Sequence, residues 1–172
     1  MVTPSQLAHF IGPPSRLHAP GGWVEHEEAL GRTLPDEYKN LMDAFGAGIL
    51  NGMLMIGHPY SVELNLADMF SIQSDHLSYL RSLEGERDWL PYPVVPEPEP
   101  MHMWAYSDVG DLCFLVPKAE QWEVGIWRRE GAWKESGVGF GDWLLRELRG
   151  EHGPGNLLRH LRLEPMQYQP QP

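Results

Sequence analysis

The chain has 172 residues, 42% of them hydrophobic, which suffices for one core of ordinary size but is short for two. Thirteen Lys and Arg against 24 Asp and Glu leave a net charge of −11, which repels phosphate backbones and anionic lipids and attracts basic surfaces; solubility alone also accounts for such acidity. Direct binding to nucleic acid or to a membrane is therefore not expected, and a single cysteine, Cys113, excludes an internal disulfide and a multi-thiolate metal site.

In chain order, residues 1–21 form an N-terminal arm with one short helix around Gln6 to Phe10, before the breakers Gly12, Pro13, Pro14, Pro20, Gly21 and Gly22. It has no charged start leading into a long apolar stretch, and no later segment approaches the roughly 18 apolar residues that cross a bilayer, so a reducing, cytoplasmic setting is expected. Trp23 to Leu30 reads as a short acidic helix stopped by Gly31, its carboxylates a solvated face. The clearest helix takes Thr33 as N-cap and Pro35 in its first turn. It places Asp36 and Glu37 where the helix dipole favours negative charge, and it repeats Leu34, Tyr38, Leu41, Met42 and Phe45 on one face until Gly46 and Gly48 end it. Gly52 to Ile56 follows as the first strand, and a second helical pattern runs from Leu64 to Leu83.

Residues 91–100, PYPVVPEPEP, are an extended connector, because proline supplies no donor to a sheet ladder. Beyond it, Met101 to Tyr106, Leu112 to Val116, Trp122 to Trp127 and Ala132 to Lys134 are short aromatic or β-branched runs separated by turn residues, the pattern of an antiparallel meander. Asp142 opens a closing helix with Phe140, Trp143, Leu144 and Leu148 on one side and Gly150 as terminator. A last element is expected within Asn156 to Leu163, and the tail 164–172 should fray. The fold class is α+β, helices packed on one mainly antiparallel sheet, with residues 22–163 as a single domain.

The order of these pieces resembles the SUKH superfamily, the Smi/Knr-like cell-wall-regulator and bacterial immunity-protein domains. Two blocks carry the likeness. LGRTLPDEYKNLMDAFGAGILNGMLMI, Leu30 to Ile56, is similar to the family's acidic helix, its Leu-Pro-acidic-Tyr helix start, its aromatic-Gly-x-Gly helix end and its first strand. MWAYSDVGDLCFLVPKAEQWEVGIWRREGAWKESGVGFGDWLLRELRGE, Met103 to Glu151, is similar to its run of short strands with a Gly-Asp turn, a mid-sheet tryptophan and a closing aromatic-Leu-Leu helix. Where the family often has a tryptophan just after the Gly-Asp turn, this chain has Cys113 and Phe114. The resemblance implies a SUKH-like fold with no shared catalytic constellation. It also implies a protein-binding role: an immunity protein neutralising a basic toxin domain, often a nuclease in this family, or alternatively a scaffold or regulatory module.

The residues themselves name candidates for partner contact. Asp108 and Asp111 bracket Gly110 in a turn that meets an arginine or is simply structural, and no further carboxylates at loop spacing complete a Ca²⁺ cage. Glu97 and Glu99 sit in the proline-stiffened connector, either as displayed charge or as passive linker. Asp36 offers a carboxylate at a helix start. Most tryptophans belong in the core, but Trp104 and Trp122 are candidates for an aromatic patch with an acidic rim. The histidines at 9, 18, 26, 58, 76, 102, 152 and 160 show no HxxxH, HExxH or HxH spacing, and neither glycine cluster follows nucleotide-binding grammar. No metal, no cofactor and no catalytic residue is expected.

Overall fold

The computed structural model describes residues 1–15, 21–69, 71, 101–119, 121–129, 133–151 and 167–171. The expected helix to Leu83 beyond its first turn, the connector 91–100 with Glu97 and Glu99, and the element at Asn156 to Leu163 lie outside those residues.

Helix α1 (Pro4–Ile11) starts as a proline at its first position permits, with the Thr3 N–H donating to Gln6 Oε1 at 2.9 Å. Val2 and Leu7 are buried in the common core, so this segment packs against the helices that follow. Helix α2 (Trp23–Leu30) has the expected bounds, entered through Gly22 and left through Gly31, both left-handed. Helix α3 (Asp36–Phe45) buries Tyr38, Leu41, Met42 and Phe45 of the predicted stripe, and Leu34 is buried just ahead of it. Its start corrects the sequence reading: Pro35, not Thr33, is the cap, with φ −59° and ψ 133°. A residue preceding proline is kept out of the helical region, so Leu34 cannot join the first turn, and its N–H donates instead to Glu27 Oε1 at 2.7 Å.

Seven strands among the described residues form one antiparallel sheet in the order β6-β5-β4-β3-β2-β1-β7. They are β1 (Gly48–Leu50), β2 (Leu54–Ile56), β3 (His102–Ser107), β4 (Leu112–Pro117), β5 (Trp122–Trp127), β6 (Trp133–Glu135) and β7 (Tyr168–Pro170). The meander β3 to β6 lies where the aromatic runs predicted it. Two strands were not foreseen. Gly48, assigned above to a helix end, opens β1, and β1 turns into β2 through Asn51 and Gly52 at φ 51° and 72°, the positive pair that mirror-image hairpin turns require. The C-terminal tail, expected to fray, instead pairs along β1.

Helix α4 (Phe140–Arg149) begins two residues before Asp142 and ends at Gly150, and it lies on the same sheet face as Trp104. A register shift between Met103 and Ala105 sets the Trp104 ring edge-on to Phe140 at 4.9 Å and to Trp143 at 5.5 Å. Tyr38 meets Phe140 at 4.9 Å, so one aromatic chain joins α3, α4 and the sheet.

Candidate partner-binding surface

The described residues do not bring the sequence-proposed contacts together. Trp104 is completely buried and belongs to the core, a correction that follows from its place beneath α4. Asp111 is also buried: Oδ2 accepts from Arg128 Nη1 at 2.8 Å and Oδ1 from the Arg129 N–H at 3.1 Å. That carboxylate pins the β3–β4 turn to the end of β5, so of the two readings given above Asp111 takes the structural one, with the chain's own arginine. Asp108 is exposed on the same turn. Trp122 is half-buried, with the Arg32 guanidinium 5.7 Å from its ring centre. Trp122 pairs with Pro117 and Trp127 with Leu112, so Trp122 and the Asp108 turn stand at opposite ends of the β4–β5 ladder. At about 3.3 Å per residue that separates them by roughly 16 Å. Asp36 is 83% exposed and pairs with Lys39 at 3.2 Å, one helical turn on.

A different surface emerges where α2 meets the loop after β2. Asp43 on α3 is its foundation: Oδ1 accepts from Trp23 Nε1 at 2.9 Å, from the Gly21 N–H at 3.2 Å and from His58 Nε2 at 3.4 Å. His58 Nδ1 accepts from the Tyr60 N–H at 3.2 Å, which leaves the proton of a neutral ring on Nε2, facing Asp43. One carboxylate thus fixes both the entry of α2 and the loop at residues 57–64. The loop is held further by His58 N–H to Leu64 O at 3.0 Å and Asn65 Nδ2 to Pro59 O at 2.8 Å.

Gly22 has φ 75°, and a side chain there would place its Cβ 2.8 Å from Tyr60 Cζ. Only glycine lets the Tyr60 ring lie against the start of α2. There Tyr60 is 49% exposed, and Val62 on the same loop and Val24 in the first turn of α2 are 83% and 68% exposed. These are three of the five large apolar side chains that stand exposed among the described residues, where the other two, Met1 and Val109, belong to other parts of the chain. On the same two segments Glu25, Glu28, Glu63 and Asp68 are exposed, and neither residues 21–30 nor 57–69 contain a Lys or Arg. Glu27 is the exception in being occupied, by Lys39 at 2.9 Å and by the Leu34 N–H. Burial pulls the Lys39 ammonium's pKa down, but its bonds to Glu27 and Asp36 outweigh that and hold it raised.

The sequence reading passed over this surface because it took the α2 carboxylates as a solvated face and placed no role on His58 to Asp68. A signal was present: Val24 between Trp23 and Glu25, and Tyr60 and Val62 off any helical or strand period.

Loss of the Asp43 carboxylate tests the foundation. Asp43→Ala should lower stability by about 2–3 kcal/mol, the range for removing an acceptor from partly buried donors, and should shift Trp23 emission to the red as α2 loosens. Unchanged emission and stability would show that α2 is held by other means.

Beneath α2 lies a second polar chain, with His26 Nε2 3.3 Å from His102 Nδ1 and His102 Nε2 3.1 Å from the Tyr38 hydroxyl. Burial lowers the pKa of His102 well below 6.5, and the neighbouring His26 lowers it further. Burial also lowers that of His26, opposed by Glu27. The folded chain therefore refuses protons that the unfolded chain accepts, so this contribution to stability is complete above pH 6.5 and is lost as the pH falls below it. Urea denaturation at pH 7.5 and 5.5 should show a loss on the order of 1 kcal/mol per pH unit, and His102→Gln should flatten it.

Among the described residues no three His, Cys, Asp or Glu side chains are grouped to hold a metal ion, and no helix is long and apolar enough to cross a membrane. A family model described as the SMI1 / KNR4 family (SUKH-1) matches residues 22–146, well over half of the chain. The chain belongs to this family. The SUKH-1 match spans α2, α3, β1 to β6 and the first turns of α4, so the surface at α2 and residues 57–68 lies on the family domain itself, while α1 and β7 lie outside it. The α+β architecture foreseen from the ordered motifs is the one observed. No curated protein and no solved structure matches the chain significantly.

Proposed function

We propose that this SUKH-1 chain is a non-enzymatic protein-binding domain that holds a basic protein on the face made by α2 and residues 57–68. We further propose that the partner is a toxin domain, for which the chain is the immunity protein. Domains of this family are generally immunity or regulatory proteins rather than enzymes, which supports the class of function.

The observation that carries the reading is the pairing of exposed Tyr60, Val62 and Val24 with exposed Glu25, Glu28, Glu63 and Asp68, on two segments without a single Lys or Arg. Apolar side chains at the centre supply burial on contact, and a one-signed rim supplies orientation and fast encounter with a surface of opposite sign. The net charge of −11 extends that attraction over the whole molecule. A tyrosine already leaning on a rigid helix start loses little freedom when a partner covers it, which favours it as an anchor.

Co-expression tests the reading. Cells producing the basic toxin-domain candidates encoded beside this gene should grow when the chain is present. Equal killing with and without it would overturn the immunity reading.

A further inference from the structure

The β1 edge carries more architecture than a three-residue strand pair needs. β7 adds antiparallel to β1, with Gly48 opposite Pro170, Ile49 opposite Gln169 and Leu50 opposite Tyr168. Asn51 and Gln167 bind reciprocally: the Asn51 N–H donates to Gln167 O at 2.7 Å, and the Gln167 N–H donates to Asn51 Oδ1 at 2.7 Å. At the other end the Gln171 N–H donates to Ala47 O at 3.0 Å. Between them the Tyr168 ring lies over Gly48, where an added Cβ would sit 2.4 Å from Cζ. Its hydroxyl donates to Gly46 O at 2.8 Å, and its edge meets Phe45 at 6.4 Å between ring centres. The edge is thus a slot floored by glycine, walled by Phe45 and ended by a carbonyl, flanked by main-chain partners for an extended segment.

Only Tyr168 of β7 is half-buried, while Gln169 and Pro170 are exposed. β7 also lies outside the matched residues 22–146, whereas β1, Phe45 and Asn51 lie inside them. The matched residues thus include the slot and not its filler. Open sheet edges accept extended peptides through exactly such ladders, with side-chain pockets giving selectivity.

We propose that the outer edge of β1 is a strand-accepting site for an extended peptide bearing a tyrosine followed by a polar residue and proline, and that the chain's own C-terminal segment is its exchangeable resident. The site works independently of the α2 face. The ligand class is set by three contacts: a tyrosyl ring and hydroxyl for the slot, a main-chain N–H for Asn51 Oδ1, and a second one for Ala47 O.

A fluorescein-labelled peptide of sequence MQYQPQP, residues 166–172, tests this with the full chain. It should bind a Tyr168→Ala chain at least about tenfold more tightly than the wild type, because the resident strand competes in the latter. The same peptide with its tyrosine changed to alanine should bind neither. Equal affinity for both chains, or no binding to a Tyr168→Ala chain with native circular dichroism, overturns the proposal. Hydrogen exchange of the wild-type chain gives an answer even if that variant does not fold. The Asn51 and Gln171 amides should exchange at least about tenfold faster than those of the β3–β4 ladder, as for a strand that leaves by itself. Equal protection in both ladders would mean that β7 leaves only on global unfolding, and would also overturn it.

Discussion

Trp104→Ala is expected to lower the free energy of unfolding by about 3–5 kcal/mol, the range for removing a fully enclosed large aromatic side chain. Domains of this size have about 5–15 kcal/mol in total, so the variant should lose a large share of its stability. The reason is geometric. The ring is sealed from solvent, meets Phe140 and Trp143 edge-on, and joins α4 to the centre of the sheet at an irregularity in β3. Its Nε1 has no acceptor among the described residues, so its N–H contributes nothing to offset burial. Trp104→Phe should therefore recover much of the loss, since it keeps an aromatic ring and removes that N–H. Urea denaturation of both variants checks the point, and equal losses would show that the indole N–H has a partner that matters.

Asp111→Ala should cost about 3 kcal/mol, at the lower end of the range for breaking a buried ion pair, because the Arg128 side chain keeps 17% of its exposure and can partly rehydrate. The loss has two parts. Arg128 forfeits a bond at 2.8 Å, and the Arg129 N–H forfeits one at 3.1 Å, so the two residues that follow β5 come away from the β3–β4 turn. Asp108, three residues earlier and exposed, provides the control: Asp108→Ala should change stability by less than about 0.5 kcal/mol. Equal effects from the two substitutions would contradict the distinct roles given to these carboxylates.

Both residues mark where the sequence was ambiguous. Tryptophan runs at strand spacing identify a sheet, and the meander from β3 to β6 was legible for that reason. Which face each ring takes depends on register, and the irregularity between Met103 and Ala105 changes that face locally, so Trp104 could not be placed by alternation. Asp111 could be read as a structural turn or as a contact, because its partner, Arg128, lies 17 residues on and meets it only through the β4–β5 pairing. The α3 stripe was legible because its periodicity is local. Strand β1 was hidden by glycines read as a helix end, although Asn51-Gly52 between apolar runs was a hairpin signal within reach. Strand β7 had no local signal at all, since Tyr168 acquires its place only from Gly48 and Phe45, more than a hundred residues away. The junction of α2 with the loop after β2 was only faintly signalled for the same reason: Gly22 and Tyr60 are joined by the common attachment of α2 and the loop to Asp43, which sequence spacing does not encode.

If the α2 face, rather than the Asp36 or Asp108 ends of the molecule, holds a basic partner, co-expression with surface variants that keep the wild-type melting temperature will separate the two. Glu25→Lys with Glu28→Lys, and Tyr60→Ala with Val62→Asp, should each abolish protection, corresponding to a loss of at least about 3 kcal/mol or roughly a hundredfold in affinity. Asp36→Lys and Asp108→Lys should leave protection intact. Protection that survives both pairs of α2-face changes, or fails with Asp36→Lys or Asp108→Lys instead, would show that the partner is held elsewhere.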